Sequence, residues 1–399
     1  MLTRTELIDS RFFMVFLAVM VALGPMSVDA YLPAMANIAD YFNTDITVVN
    51  LTMSSFLIGN GIGQFFGGAL SDQMGRKTIG LIGLIIFLIS TLFIIQADSV
   101  AAIQVFRLTQ ALGSGFTSVI CLAQVRDLYP KEEVMRRYAN VMLIMLVAPL
   151  LAPMIGAVLV QYGWQSIFAF LGFWGLAVLI VYLFLIPETI QEKATTFSVK
   201  ELFSGYLHVI KYQSNGRYLA SQFILFGGVS SGIFMSFLTN SALIYMEYFS
   251  VSEFQFALIF GAHALMLMVG NRLAVKLADY FPGLKVLRMI NLLQLSLTTL
   301  LLLLTVLNLH TLWSVLLFTL LIMSVNGAIN PTSSGLFIVH FDKNAGAASS
   351  LKTTFIFVVG AIVGGLSAVL SDGELLPIFA IMMICSMIAR AILLGIKPE

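Results

Sequence analysis

Long apolar runs recur from one end of this 399-residue chain to the other, and they decide what it can fold into. Examples are "GLIGLIIFLISTLFIIQ", "FWGLAVLIVYLFLIP" and "LLQLSLTTLLLLLTVL". A stretch of about 18 or more apolar residues with few charges is long enough to cross a bilayer as a helix. Transmembrane β-strands would alternate with period two, and these runs do not. The sequence therefore predicts an all-α polytopic membrane protein.

Composition agrees with a chain that lies mostly in a membrane. Of its residues, 59% are hydrophobic and 10% are charged, whereas about a quarter of a soluble protein is charged. The net charge of +1 gives no basis for binding nucleic acid. The sequence contains no phosphate-binding loop, zinc motif or nucleophile elbow, and Cys121 and Cys385 lack metal-ligand spacing. We predict no enzyme, no metal and no cofactor, and we expect an ion gradient to supply the energy.

About twelve membrane spans follow from the positions of the apolar runs. Short polar turns separate most of them, and one longer polar segment, 188–217, divides them into two sets. The sequence thus predicts an N-terminal six-helix bundle over 1–187, a cytoplasmic linker over 188–217 and a C-terminal six-helix bundle over 218–399. The predicted spans are 12–35, 49–71, 79–97, 101–126, 138–161, 165–187, 218–246, 254–275, 285–307, 313–338, 348–371 and 376–396.

Basic residues give the orientation of these spans. Lys and Arg occur near the N-terminus and in every second turn, and the intervening turns have none. Cytoplasmic loops of membrane proteins carry the excess of Lys and Arg, so both termini and the linker are predicted in the cytoplasm. The basic residues concerned are Arg4, Arg11, Arg76, Lys77, Lys131, Arg136, Arg137, Lys276, Lys285 and Lys343, with those from Lys193 to Arg217.

The two halves of the chain look like a parallel repeat. The turn after the second predicted span reads "GGALSDQMGRK" from Gly67, and the turn after the eighth reads "GNRLAVKLADYFPGLK" from Gly270. Glycine, a basic residue and aspartate recur in a loosely similar order. Two similar halves around an axis along the membrane normal form a common transporter plan, with the substrate site between them near the midplane.

Three segments resemble the major facilitator superfamily. "GALSDQMGRK", 68–77, resembles its helix 2–3 motif, and "RLTQALGSG", 107–115, the helix 4 motif of proton-coupled members. "APLLAPMIGAVL", 148–159, is similar to the helix 5 motif of drug–proton antiporters, without the glycine that usually precedes its first proline. "DAYLPAM", "VRDLYP" and "YGWQSIF" resemble the bicyclomycin and chloramphenicol resistance branch. The resemblance implies the major facilitator fold.

Asp29 places a carboxylate inside the first predicted span, within "GPMSVDAYLPA". An aspartate at the centre of a membrane helix costs about 2.5–3.5 kcal/mol on insertion scales, so such residues are functional by default. Asp29 and Arg107 both lie about six residues, or about 9 Å, from the outer ends of their predicted spans. We predict that they pair, with Asp29 as a proton-carrying acid tuned by a cation. The alternatives are a static structural ion pair and an aspartate that reaches the outer interface. The resemblance implies proton coupling by both residues.

The turn after the second span contains the predicted gating residues. Asp72 can cap the next helix and meet Arg76 at helical spacing, and Gly68 and Gly75 allow close backbone approach. An ordinary cytoplasmic turn is the alternative. The resemblance implies that Asp72, Arg76 and Arg126 contact the opposite half and latch the outward-facing state.

The fifth span carries Pro149, Pro153 and Gly156. The prolines remove backbone donors and the glycine removes a side chain, which predicts a kinked helix that packs tightly against its neighbours. The resemblance implies a bendable helix between the two halves. We include these three residues among the gating positions.

Polar residues within the spans are candidates for a substrate cavity. A satisfied hydrogen-bonding role and a role in proton coupling are the alternatives for His263, and a locally unwound helix is the alternative at Asn330–Pro331. We expect Lys352, at the start of the eleventh span, to reach the cytoplasmic interface. The predicted cavity residues are Tyr31, Gln110, Ser114, Asn240, His263 and Asn330.

These features together predict a proton-coupled efflux antiporter of a bacterial inner membrane. It would export amphipathic drug-like molecules such as phenicols, and the direction of transport follows from the resemblance. Alternatives are an exporter of an endogenous metabolite, such as a siderophore or small peptide, and a non-transporting membrane sensor. The expected partners are a small-molecule substrate, protons and membrane lipid, with no nucleic acid, and we expect a monomer.

Overall fold

A computed structural model of the chain describes residues 11–129, 131–190, 206–213, 218–341 and 345–396. Within these ranges the chain consists of helices joined by short turns, and none of the residues forms a strand. The long helices are α1 (Phe12–Tyr41), α2 (Ile46–Met74), α3 (Arg76–Ile95), α4 (Val100–Leu128), α5 (Lys131–Leu159), α6 (Gln165–Leu185), α7 (Leu219–Tyr248), α8 (Glu253–Ala278), α9 (Gly283–Val306), α10 (Leu312–Ile338), α11 (Ala345–Ser371) and α12 (Leu375–Gly395).

Eleven of these helices are long and apolar enough to cross a membrane in the part of the chain that the structure describes. The remaining helix, α5, contributes the shorter apolar stretch Ala148–Tyr162. Membrane-spanning helices satisfy every backbone donor and acceptor internally, which hydrocarbon requires. The predicted all-α polytopic membrane fold is confirmed.

The chain forms two compact units. The first contains Met1–Asn43 and Ser55–Ser198, and the second contains Thr44–Ser54 and Val199–Glu399. The first turns of α2 therefore group with the second unit. Residues 191–205 and 214–217 of the predicted linker lie outside the described residues, so the predicted domain boundaries stay a prediction.

The first helix, α1, is interrupted near its middle. A 3-10 turn that contains Pro33 interrupts it, because proline supplies no backbone donor. The helix then resumes and ends at Tyr41, so the predicted end at residue 35 was wrong. Asp29 lies twelve residues before Tyr41, about 18 Å at 1.5 Å per residue, and not six. The four helical pieces along α1 are Arg11–Val21, which begins one residue before α1, Leu23–Asp29, Leu32–Ala34 and Met35–Tyr41.

Helix α10 is continuous through Pro331. The local unwinding considered at Asn330–Pro331 is therefore wrong. Membrane helices tolerate an internal proline when nearby hydroxyls occupy the carbonyls around it. Pro331 leaves the carbonyl of Gly327 without its helical donor. The Thr332 hydroxyl donates to the adjacent carbonyl, that of Ala328, at 2.8 Å.

Close glycine contacts hold α2 against α4 in the first unit. A Cβ atom at Gly115 would lie 2.6 Å from the carbonyl oxygen of Asn60, and one at Gly63 would meet the carbonyl oxygen of Leu112. Only glycine allows two helix backbones to approach this closely. On each helix, the glycine lies three residues after the residue whose carbonyl meets the glycine of the other helix: Gly63 follows Asn60 on α2, and Gly115 follows Leu112 on α4.

The second unit repeats this arrangement between α8 and α10. A Cβ atom at Gly270 would meet the carbonyl oxygen of Ser324, and one at Gly327 would lie 2.7 Å from the carbonyl carbon of Leu267. The three-residue spacing on each helix is the same as in the first unit. The two units thus share a packing motif at corresponding helices, which supports the parallel repeat seen in the sequence.

Candidate functional site

Arg107 lies on α4 in the first unit and is a buried cation with no exposed surface. Its Nη1 atom donates to the carbonyl oxygen of Ser27 at 2.8 Å and to Oε1 of Gln110 at 3.1 Å. The guanidinium carbon lies 4.5 Å from the ring centroid of Tyr31 and 4.3 Å from that of Phe56. A carbonyl, an amide and two aromatic faces thus replace the water around this charge.

Asp29 lies on α1, two residues after Ser27, and is 6% exposed. Among the described residues no donor forms a hydrogen bond to its carboxyl group, and no cation lies within 4.0 Å. The predicted Asp29–Arg107 ion pair is therefore not formed in this structure. Ser27 belongs to the last turn of Leu23–Asp29, whose end carbonyls lack intrahelical donors. The interruption of α1 offers Arg107 this backbone acceptor.

A polar chain leads from Arg107 toward α3. Gln110 accepts from Arg107 and donates to Oγ1 of Thr91 at 2.8 Å. Tyr31 and Gln110, two predicted cavity residues, therefore meet at the guanidinium. Ser114 lies in a separate contact on α4, where it accepts a hydrogen bond from Asn60 at 2.9 Å.

Helix α5 contacts the interruption of α1. A Cβ atom at Gly156 would lie 3.0 Å from the carbonyl carbon of Ala30, the residue after Asp29. Pro149 and Pro153 lie within the same helix. The glycine predicted as a gating residue therefore packs directly beside the predicted proton-coupling acid.

The predicted gating residues form a charged cluster at the end of α2. Oδ1 of Asp72 lies 2.5 Å from Nη2 of Arg76 and 4.0 Å from Nη2 of Arg126. Arg76 is 2% exposed, and its Nε atom lies 2.9 Å from Oδ2 of Asp127. Sequence reasoning missed Asp127, although it follows Arg126 in "VRDLYP".

Glu188 caps the N-terminus of α3. The backbone amide of Arg76 donates to its Oε1 atom at 2.9 Å, and the amide of Lys77 donates to Oε2 at 3.2 Å. A carboxylate at this position also interacts favourably with the helix dipole. The predicted cap by Asp72 is wrong, because its carboxylate, near the end of α2, forms a salt bridge with Arg76.

Two glycines shape the same turn. Gly75 has φ 101°, a left-handed conformation that residues with a side chain rarely adopt, and it lies directly before α3. A Cβ atom at Gly68 would lie 3.3 Å from Cγ1 of Val119 on α4. Both predicted glycines therefore occupy positions with a steric requirement.

His263 is buried in the second unit, and both of its ring nitrogens have partners. Nδ1 lies 2.7 Å from the carbonyl oxygen of Ile259, and Nε2 lies 2.9 Å from Oγ1 of Thr319. The Tyr245 hydroxyl lies 2.7 Å from the same threonine oxygen. This is the satisfied hydrogen-bonding role considered as an alternative for His263.

This histidine cluster corresponds to the Arg107 site of the first unit. Arg107 lies eight residues before Gly115 of α4, and Thr319 lies eight residues before the corresponding Gly327 of α10, so these two residues are counterparts. In the same way, Phe56 and His263 each lie seven residues before the corresponding glycines of α2 and α8, Gly63 and Gly270. The first unit places a cation against an aromatic ring where the second unit places a hydroxyl against an imidazole. The sequence could have shown this correspondence only through the glycine register.

The two predicted asparagines of the second unit lie in separate contacts. Asn240 donates to Oγ of Ser367 at 2.8 Å. Oδ1 of Asn330 accepts a hydrogen bond from Ser231 at 3.1 Å. The six predicted cavity residues are thus divided between the units, three in each.

Lys352 does not reach the interface, contrary to our expectation. It is 3% exposed and donates to Oγ of Ser333 and Oγ of Ser334, both at 3.0 Å. Its position on α11 directs the side chain toward α10, whose serines bind the ammonium group before it can extend to the surface.

Two units of long apolar helices that bury ionisable and amide side chains are typical of a secondary membrane transporter. The profile of the Major Facilitator Superfamily matches residues 15–365. The chain belongs to this family. It is therefore a multi-pass membrane transporter with a small-molecule substrate and not an enzyme.

Two relatives of the chain support the resemblance found in the sequence. A bicyclomycin resistance protein homolog from Haemophilus influenzae is 27% identical over 379 residues, which are 94% of each chain. Multidrug resistance protein MdtL from Citrobacter koseri is 25% identical over 396 residues, 97% of this chain and 96% of that one. The predicted similarity to the bicyclomycin and chloramphenicol resistance branch is confirmed.

A solved structure shows the same fold. The crystal structure of a D-xylose–proton symporter superimposes with a TM-score of 0.74 and covers 98% of this chain and 99% of that chain. Its sequence is 14% identical. This likeness shows that the chain has the major facilitator fold.

Proposed function

We propose that this transporter is a proton-coupled antiporter that exports amphipathic drug-like molecules, such as phenicols, by alternating access. It lies in a bacterial inner membrane with both termini in the cytoplasm, acts as a monomer and uses the proton gradient without a cofactor. The relatives named for bicyclomycin and multidrug resistance support drug export. The distribution of Lys and Arg among the turns supports the orientation.

The observation that carries this proposal is the buried carboxyl group of Asp29 on the stretch of α1 whose Ser27 carbonyl binds the buried cation Arg107. An ionised carboxylate is expensive to bury without donors or a cation. The arrangement therefore fits the neutral, protonated acid. The cation is already held within the same stretch of α1, on the carbonyl of Ser27.

A movement of α1 relative to α4 would change the protonation of Asp29. If the guanidinium left the Ser27 carbonyl for the carboxyl group, it would stabilise the ionised form and release the proton. Return of Arg107 to Ser27 would restore the protonated form. The exchange would need only one side chain and one backbone acceptor, which lie two residues apart on α1.

The interruption of α1 is the element that would move. Its backbone touches α5 at Gly156, where no side chain separates the two helices. A rearrangement of α5 would therefore be transmitted to Ala30 and Asp29 by direct contact. The charged cluster of Asp72, Arg76 and Arg126 would stabilise the outward-facing state.

The membrane potential adds to the driving force when a neutral substrate is exchanged. One proton per cycle would then move one net charge, which gains about 2.3 kcal/mol per 100 mV. Exchange of one proton for a monovalent cation would be nearly electroneutral. A phenicol should therefore respond to both the pH gradient and the potential, and a cationic substrate mainly to the pH gradient.

Uptake of chloramphenicol into inverted vesicles tests the proposal. We expect accumulation that depends on an imposed pH gradient and that Arg107→Ala strongly reduces, because the variant removes the cation that would stabilise the ionised form of Asp29 during the cycle. A drug-susceptibility panel in a host without its own pumps should show phenicol resistance. Absence of both effects for the unmodified protein would contradict drug export and favour a metabolite as substrate.

A further inference from the structure

A cavity of about 300 Å³ lies between α10 and α11 in the second unit. Ser334 and Phe337 line it from α10, and Lys352 and Thr353 line it from α11. Ser334 is exposed, so the cavity is open to an entering ligand. None of the six predicted cavity residues lines it. All of its lining residues lie on α10 and α11, so the cavity is distinct from the site of Asp29 and Arg107 on α1 and α4.

The ammonium group of Lys352 enters this cavity as a buried charge. Two hydroxyl oxygens, those of Ser333 and Ser334, accept its hydrogen bonds, and the ring centroid of Phe337 lies 5.4 Å away. Within the described ranges no carboxylate lies within 4.0 Å of it. These hydroxyls accept from two of its three N–H donors and leave the positive charge uncompensated. A buried charge is costly unless a counter-ion accompanies it.

The hydroxyl groups around the ammonium group remain able to donate. The oxygen of Ser334 accepts from Lys352, so its hydrogen can point into the cavity. Thr353 adds a second hydroxyl on the facing helix, and the remaining walls include the apolar side chains of Phe337, Ile338 and Ile356. The cavity thus combines one cation and three hydroxyls, those of Ser334, Ser349 and Thr353, with an apolar surface.

We propose that this cavity binds the oxyanion of an amphipathic molecule, a carboxylate or a phosphate. Lys352 is its counter-ion, and Ser334 and Thr353 donate to the oxyanion oxygens. The apolar part of the ligand packs on Phe337, Ile338 and Ile356. A free amphiphile and an anionic phospholipid carry the same chemistry. The proposal does not depend on drug export, because it concerns binding alone.

Binding of a carboxylate probe to the purified full chain tests the proposal. The chain is placed in phosphatidylcholine nanodiscs, and the probe is 11-(dansylamino)undecanoate, compared with its uncharged methyl ester. Empty nanodiscs give the background. The unmodified protein should prefer the carboxylate over the ester by about tenfold or more, the size of one charge-assisted hydrogen bond.

Lys352→Gln should remove this preference. Lys276→Gln, at an exposed lysine of α8 in the same unit, should retain it. The same preference in Lys352→Gln and in the unmodified protein would overturn the proposal. If Lys352→Gln does not fold, Ser334→Ala combined with Thr353→Val should lower the preference about threefold to tenfold, and an unchanged preference would again overturn it.

Addition of phosphatidylglycerol to the nanodiscs distinguishes the two sources of the oxyanion. Displacement of the probe from the unmodified protein, beyond that seen with Lys352→Gln, would support the proposal with a phospholipid phosphate as occupant. Equal displacement in both proteins, with the carboxylate preference intact, would support it with a free amphiphile as occupant.

Discussion

The cap that Glu188 provides to α3 gives a prediction with a magnitude. Glu188→Ala removes one acceptor from the amide of Arg76 at 2.9 Å and another from the amide of Lys77 at 3.2 Å. The first distance is near the optimum for such a bond and the second is at its long limit. Loss of a helix cap costs about 0.5–2 kcal/mol, and loss of a charge from the positive end of the helix dipole adds about 0.3–1 kcal/mol.

The first turn of α3 should therefore open more often in Glu188→Ala. A local loss of about 1–2 kcal/mol corresponds to amide exchange that is about 5 to 30 times faster. Hydrogen exchange measured by mass spectrometry on a peptide that contains Arg76 and Lys77 would show it. The matched control is Glu253→Ala, an acid in the first turn of α8. Unchanged exchange at Arg76 and Lys77 would refute the capping role of Glu188.

Three further predictions follow from individual contacts. Gly156→Ala should lower the thermal midpoint and the transport rate, because the added Cβ meets the backbone of Ala30; Gly172→Ala, with ordinary contacts only, is the control, and equal effects would contradict the argument. Lys352→Met should raise the thermal midpoint in zwitterionic detergent, because it removes a buried charge, and a lower midpoint would contradict this. Asp72→Asn should shift spin-label distances between the two halves toward the inward-facing state. An unchanged distribution would mean that Asp72 only shapes its turn.

Local patterns predicted the helices well, and they failed where the chain departs from a simple span. Runs of apolar residues set the number and order of the helices, because hydrocarbon requires them. The polar stretch after Pro33 looked like a loop, but α1 resumes there and ends at Tyr41. A hydropathy pattern cannot distinguish a helix that stops from one that is interrupted.

Partners of buried side chains could not be predicted from spacing along the chain. Glu188 lies 112 positions from Arg76, and Asp127 lies 51 positions from it. The hydrogen bond from Arg107 to the carbonyl of Ser27 depends on where α1 is interrupted. The sequence does not show which backbone carbonyls lack a donor within their own helix. For Lys352, its position at the start of a predicted span gave the wrong environment, because position along the chain does not show which side chain turns inward.

Proton release by the purified protein tests the central claim, that Asp29 carries the coupled proton. Chloramphenicol is added to the unmodified protein at fixed pH, and a pH-sensitive dye reports the protons released. We predict about one proton per transporter, and the same release from Asp98→Asn, whose carboxyl group is exposed. Asp29→Asn should bind substrate and release none, because its side chain holds no exchangeable acid proton. Undiminished proton release from Asp29→Asn would contradict the claim and place the carrier elsewhere in the chain.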